Sequence, residues 1–144
     1  MTHNAGEPIM SGEKNLDVLL SSMTGTLVDD VFVFVTLKDK PLPANIRPRL
    51  MFEEEEGTTY ILRKQDAEAE SIAYDFPSRM ITLNIHSSLE AVGFMARIAT
   101  ELAKENMGVN PVAAFFHDHI FIPDGREQDA LRVLSEISAA AAQD

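Results

Sequence analysis

An α+β fold is predicted from three observations. First, residues 79–137 read as strand (80–85), helix (87–107), strand (111–116), tight turn (117–119), strand (120–122) and helix (126–137). That order is a split β-α-β unit of the ferredoxin-like type, with an antiparallel hairpin between its two helices. Second, the first half repeats a hairpin-then-helix order, residues 51–71 against residues 111–137. Third, Val31-Phe32-Val33-Phe34-Val35-Thr36-Leu37 is β-branched and aromatic throughout, as a central strand buried on both faces is. The expected architecture is two ferredoxin-like units with antiparallel sheets, residues 14–75 and 76–144, behind a mobile tail of residues 1–13.

Each element has a local reason. Asn15 is an N-cap, and Leu16, Leu19, Leu20 and Met23 behind it fall on one helical face. Thr24-Gly25 ends that helix, and Asp29-Asp30 is a turn signal before the central strand. Residues 38–48 hold Pro41, Pro43 and Pro48 and form a loop. A hairpin follows, with strands at 50–53 and 58–62 and Gly57 at its turn. Residues 64–71 suit a short helix.

In the second half, Ile81, Leu83 and Ile85 alternate with Thr82 and Asn84 along a strand. Ser87 with Glu90 reads as a capping box, opening a helix whose stripe carries Leu89, Val92, Met95 or Ala96, Ala99 and Leu102. Gly108 is placed as its closing glycine. The last helix carries Ala130, Leu131, Leu134 and Ile137, with a weak Ala-rich tail after it. No strand follows, so the second sheet must be completed by residues 31–37 or across a dimer.

Composition narrows the function. The 144 residues are 45% hydrophobic and 24% charged, with a formal net charge of −11. That balance argues against nucleic acid, which needs a basic footprint, and against anionic membrane surfaces. With no cysteine, disulfides, thiolate catalysis and Cys-based zinc sites are excluded. No apolar run approaches the ~18 residues of a membrane span, and residues 1–8 lack the pattern of a signal peptide. A cytoplasmic location is expected. No Gly-x-Ser-x-Gly elbow, phosphate loop or His-Glu-x-x-His motif is present, so no catalytic role is assigned.

The segment Ala91-Val92-Gly93-Phe94-Met95-Ala96, followed by Asn106-Met107-Gly108-Val109-Asn110-Pro111-Val112, resembles an ACT domain. With residues 31–37, the run Phe52-Glu53-Glu54-Glu55-Glu56-Gly57, the string His86-Ser87-Ser88-Leu89-Glu90-Ala91-Val92-Gly93 and the string His117-Asp118-His119-Ile120-Phe121, the chain resembles short tandem ACT-like proteins over residues 13–140. The resemblance implies a small-molecule-sensing fold, often amino-acid responsive and often dimeric. Its ligands are held at the first strand–helix turn and at an interface between modules.

On that basis the expected ligand site is Ser87, Ser88, Leu89, Val92, Gly93 and Asn110, facing the other unit or subunit. A helix N-terminus at Ser87 offers N–H groups to a carboxylate, and a glycine within the helix suggests close approach by a ligand. The plain alternative is that Ser87 only caps a helix and Gly93 only lets it pack on the sheet. His86, His117 and His119 invite a metal reading, set against hairpin polar residues and a strand-end histidine. Glu53, Glu54, Glu55 and Glu56 read as a solvated hairpin rather than a calcium loop. Lys38-Asp39-Lys40 and Arg47-Pro48-Arg49, the basic cluster, either meet an acidic ligand or offset those glutamates. The expected protein is a non-catalytic, amino-acid-sensing regulatory homodimer with no cofactor and no metal. A ligand-free scaffold and a small His-based metal protein or enzyme are its rivals.

Overall fold

The computed structural model describes residues 12–143, so residues 1–11 of the tail expected over 1–13 lie outside the described residues, and Glu13 is bridged to Ser87. The elements are α1 (Leu16–Ser22), β1 (Gly25–Leu37), β2 (Leu50–Glu53), β3 (Thr58–Arg63), α2 (Lys64–Ala69), β4 (Asp75–Leu83), α3 (Phe94–Ala103), β5 (Asn110–Ala113), β6 (Asp118–Pro123) and α4 (Glu127–Ala142). All six strands form one antiparallel sheet in the order β2-β3-β1-β4-β6-β5. The two ferredoxin-like halves therefore share a sheet, with β1 against β4 at its centre.

Residues 31–37 are internal, as their apolar run requires. Phe32–Leu37 pair with Arg63–Thr58 on one side, and β4 lies on the other. That second pairing completes the sheet of the second half from the same chain. The turn expected at Asp29-Asp30 is instead a bulge inside β1: Leu27 faces Ile81 and Val31 faces Arg79, so extra β1 residues bow out between them.

One face of the sheet carries every helix. α1, α3 and α4 cover the second half, burying Leu19, Leu20, Ile98, Leu102 and Leu134 on Ile81, Leu83, Ile120 and Ile122. α2 covers the first half through Ala67, beside Val33, Val35 and Leu62. The first half has no helix between β1 and β2. The proline-rich segment takes that place and buries Ile46 in the same cluster.

Among the described residues the opposite face has no helix, yet Phe32, Ile61, Met80 and Phe121 on it are each at most 3% exposed. Curling of the sheet covers them. A flat six-stranded sheet would hold β2 and β5 about 24 Å apart, at ~4.8 Å per strand. Here Leu50 of β2 and Val112 of β5 line the same small cavity. Edge-to-face contacts of Phe121 with Phe32 and Phe34, at 5.9 and 5.7 Å between centroids, fill the bend.

Candidate functional site

Asn15 caps α1 as expected, its side chain accepting from the Val18 N–H at 3.1 Å. The helix expected from Ser87 does not start there. Residues 84–93 are an irregular loop, and α3 begins at Phe94. Two long-range ties explain the difference. The Ser87 hydroxyl donates to Asp118 Oδ2 at 2.7 Å, and the Ser88 N–H donates to the Glu13 carbonyl at 2.9 Å. Residue 12 lies so close that a Cβ on Gly12 would collide with the His86 carbonyl. The chain is held extended across this point, so Ser87 cannot cap a helix. Ser88 Oγ instead accepts from the Glu90 N–H at 3.1 Å, a local turn.

Gly93 is the N-cap of α3, not a helix-interior residue. Its φ of +89° is the left-handed conformation that glycine adopts without strain. A Cβ there would meet only Leu16 Cδ2 at 3.5 Å, so backbone conformation rather than close approach explains this glycine. No side chain caps α3. In the loop before it, Leu89 and Val92 are 65% and 83% exposed rather than on a buried stripe.

Asn110 is at the other end of the second half. It pairs with Phe121, whereas Asp118, the partner of Ser87, pairs with Ala113. At ~3.4 Å per residue the two ends of β5 are about 10 Å apart. Ser88, Leu89, Val92 and Gly93 thus share one loop, Ser87 is buried beneath it, and Asn110 is not brought to it. The helix end also differs: Lys104 is the C-cap of α3 and Asn106, with φ +55°, takes the left-handed position given to Gly108. The Ala-rich tail after Ile137 is helical and belongs to α4.

The hairpin turn falls at residues 114–117, closed by the Ala114 N–H donating to the His117 carbonyl at 3.0 Å, not at 117–119. Phe115 and Phe116 therefore leave the strand and sit exposed at the tip, with the His86 ring 6.2 and 5.3 Å from theirs. His117 and His119 are 6.5 Å apart by ring centroid, and His119 Nδ1 lies 3.0 Å from Thr82 Oγ1. Among the described residues no group of three or more His, Asp or Glu forms a metal-ligand set. Nor is any helix among them long and apolar enough to cross a membrane. Among the described residues, no ion pair joins the basic cluster to the hairpin glutamates.

Known proteins place this arrangement. An ACT-domain family model matches residues 11–79, and a second ACT-domain model matches residues 75–136. No curated protein matches the sequence. A crystal structure from Vibrio cholerae, of a protein of unknown function described as a possible transport protein, is 35% identical. It superposes with a TM-score of 0.77, over 85% of this chain and 95% of that one. A protein from Agrobacterium tumefaciens shares the fold at 11% identity and TM-score 0.65, over 81% of this chain and 89% of that one. So does the regulatory subunit of aspartate kinase from Thermus thermophilus, at 11% identity and TM-score 0.60, over 78% and 95%. With an ACT match on each half and both halves built into one sheet, the chain belongs to the ACT-domain family.

Proposed function

We infer that the protein is a non-catalytic, small-molecule-binding regulatory module that senses an amino acid and acts as a cytoplasmic homodimer. The tandem ACT match over both halves carries this reading. The ligand site is the loop between β4 and α3, at Ser88, Leu89, Val92 and Gly93. An uncapped α3 offers its first-turn N–H groups to a carboxylate, with the positive end of the helix dipole behind them. Leu89 and Val92 supply apolar surface for a side chain. Glu90, on the same loop, holds the Lys14 ammonium at 2.9 Å, the kind of contact an amino-acid ammonium makes.

Calorimetry with the twenty amino acids tests it, on the wild type and on Ser88→Ala and Val92→Glu. Both side chains reach solvent, so neither change threatens the fold. One amino acid should bind the wild type, and Val92→Glu should weaken it about tenfold, the cost of placing a carboxylate against the ligand's own. Silence from every amino acid would favour the scaffold reading, and equal affinity in both variants would move the site elsewhere.

A further inference from the structure

At the mouth of the curled sheet, on its helix-free face, lies a cavity of about 570 Å³ lined by Asp30, Phe32, Arg47, Pro48, Arg49 and Arg63. Its size falls within the ~300–1,000 Å³ range of small-molecule sites. It is distinct from the β4–α3 loop, and belongs mainly to the first half. We propose that it binds a small organic carboxylate with an apolar body, the carboxylate held by Arg47 and Arg49.

The charge distribution singles out this place. The chain carries 23 acidic side chains against 12 basic ones. Seven of the nine ion pairs among the described residues use Arg63, Arg79, Arg97, Arg126, Arg132 or Lys104. Arg47 and Arg49 are in none of them, although acidic side chains outnumber basic ones along the chain. Arg47, Arg49 and Arg63 line this cavity against the single acidic residue Asp30, so its lining carries net positive charge that an anion would offset. Arginine's planar fork suits a carboxylate in particular.

Geometry also prepares the site. Arg49 is stacked on the buried Phe32 ring, its Cζ 5.2 Å from the centroid, which limits the freedom a binding anion would otherwise have to quench. Arg63 is already held by Asp66, with Nε–Oδ2 and Nη2–Oδ1 distances of 3.0 and 3.3 Å, and forms a fixed wall. Asp30 also lines the cavity, and its negative charge helps hold the Arg63 guanidinium charged.

The apolar part of the ligand has its own space. Arg49 also lines a second cavity of about 130 Å³, whose other walls include Leu50, Met80, Val112, His119 and Phe121. A cavity of about 150 Å³ holds benzene, so this slot takes one ring or a short branched chain. Burial lowers the His119 pKa, which favours the uncharged imidazole at the wall of this slot. A carboxylate between Arg47 and Arg49 therefore has an apolar slot within reach, with Arg49 common to both cavities.

Calorimetry of the full chain with 3-phenylpropionate, 2-phenylethylamine and inorganic phosphate tests this. Arg47→Gln, Arg49→Gln and Ala114→Trp are compared with the wild type, all at exposed positions. 3-Phenylpropionate should bind the wild type and lose about tenfold in affinity in each arginine variant, one charged hydrogen bond's worth. Ala114→Trp, which fills the slot, should weaken 3-phenylpropionate and leave phosphate unchanged. The amine should not bind. Absence of 3-phenylpropionate binding at millimolar concentration, or equal binding by the arginine variants, overturns the proposal. So does phosphate binding as tightly as 3-phenylpropionate, since the slot would then contribute nothing. Val92→Glu should bind 3-phenylpropionate as the wild type does, which separates this site from the loop.

Discussion

His119 shows how one residue's setting becomes a solution property. Burial, then the positive charges of His117 and Arg49, push its pKa below 6.5, with Asp118 acting in the opposite direction. Folded protein therefore holds this proton less readily than unfolded chain does. The stability that follows is complete above pH ~6.5 and is lost as pH falls from there through the depressed folded-state value. Thermal unfolding followed at pH 7 and pH 5 should show a smaller drop for His119→Gln than for the wild type. Equal drops would mean that another group carries the pH dependence. Sequence reading at this scale succeeded where the partner is local. Asn15 caps a helix three residues away, and nothing else competes for it. Ser87 and Glu90 have the same local pattern, but Asp118 and Glu13, distant in sequence, claim the backbone and hydroxyl first. The arginines at 47 and 49 were visible as a cluster, but the curl that turns them toward one cavity was not.

Among the elements, β1 depends on a side chain from its neighbour. Where it bulges, the Val28 and Asp30 carbonyls lose their ladder partners, and Arg79 donates to them from Nη2 and Nε at 3.3 and 3.1 Å. Its third contact is Glu127 of α4, at 3.1 Å, with the two side chains only 19% and 13% exposed. Arg79→Met should cost about 3 kcal/mol, because Glu127 is left buried and unpaired. Adding Glu127→Leu should recover part of that loss. Urea midpoints measure both, and a single variant as stable as the double would show that Glu127 reaches water. Asp29-Asp30 looked like a turn because turn residues also suit a bulge. Only the long reach of Arg79 distinguishes the two, and spacing in the sequence does not encode it. Elsewhere the periodicity was sufficient: residues 31–37, β3 and α2 lie where their patterns put them, since apolar burial decides those elements.

At the scale of the whole molecule, four of the seven large apolar side chains exposed among the described residues lie on two neighbouring segments, the others being Val18, Met51 and Phe52. Leu89 and Val92 on the β4–α3 loop and Phe115 and Phe116 at the β5–β6 turn are all exposed, with His86 between the loop and the turn. A second copy of this chain is the expected cover. Sedimentation velocity at micromolar concentration should give a dimer, and the double change Phe115→Ser with Phe116→Ser should give a monomer. A wild-type monomer at high micromolar concentration would reject the dimer. The two-unit plan was legible because hairpin-then-helix occurs twice in order. The shared sheet was not, because strand neighbours across the halves leave no local mark.

The position of β1 between β3 and β4 has a consequence for synthesis. α1 is made before every other element of this fold, yet Leu19, Leu20 and Met23 pack in a cluster with Leu134 and Ile137 of α4, which is made after all of them. At about 5–20 residues per second, roughly 10 s separate them on the ribosome. During that interval β1 can gain β3 soon after it emerges, but its other margin stays open until β4 follows. The nascent chain thus carries a bare β1 edge until β4 is made, and an unburied α1 face until α4 is made. Its exposure to mispairing is set by the order of its segments rather than by the stability of the finished fold.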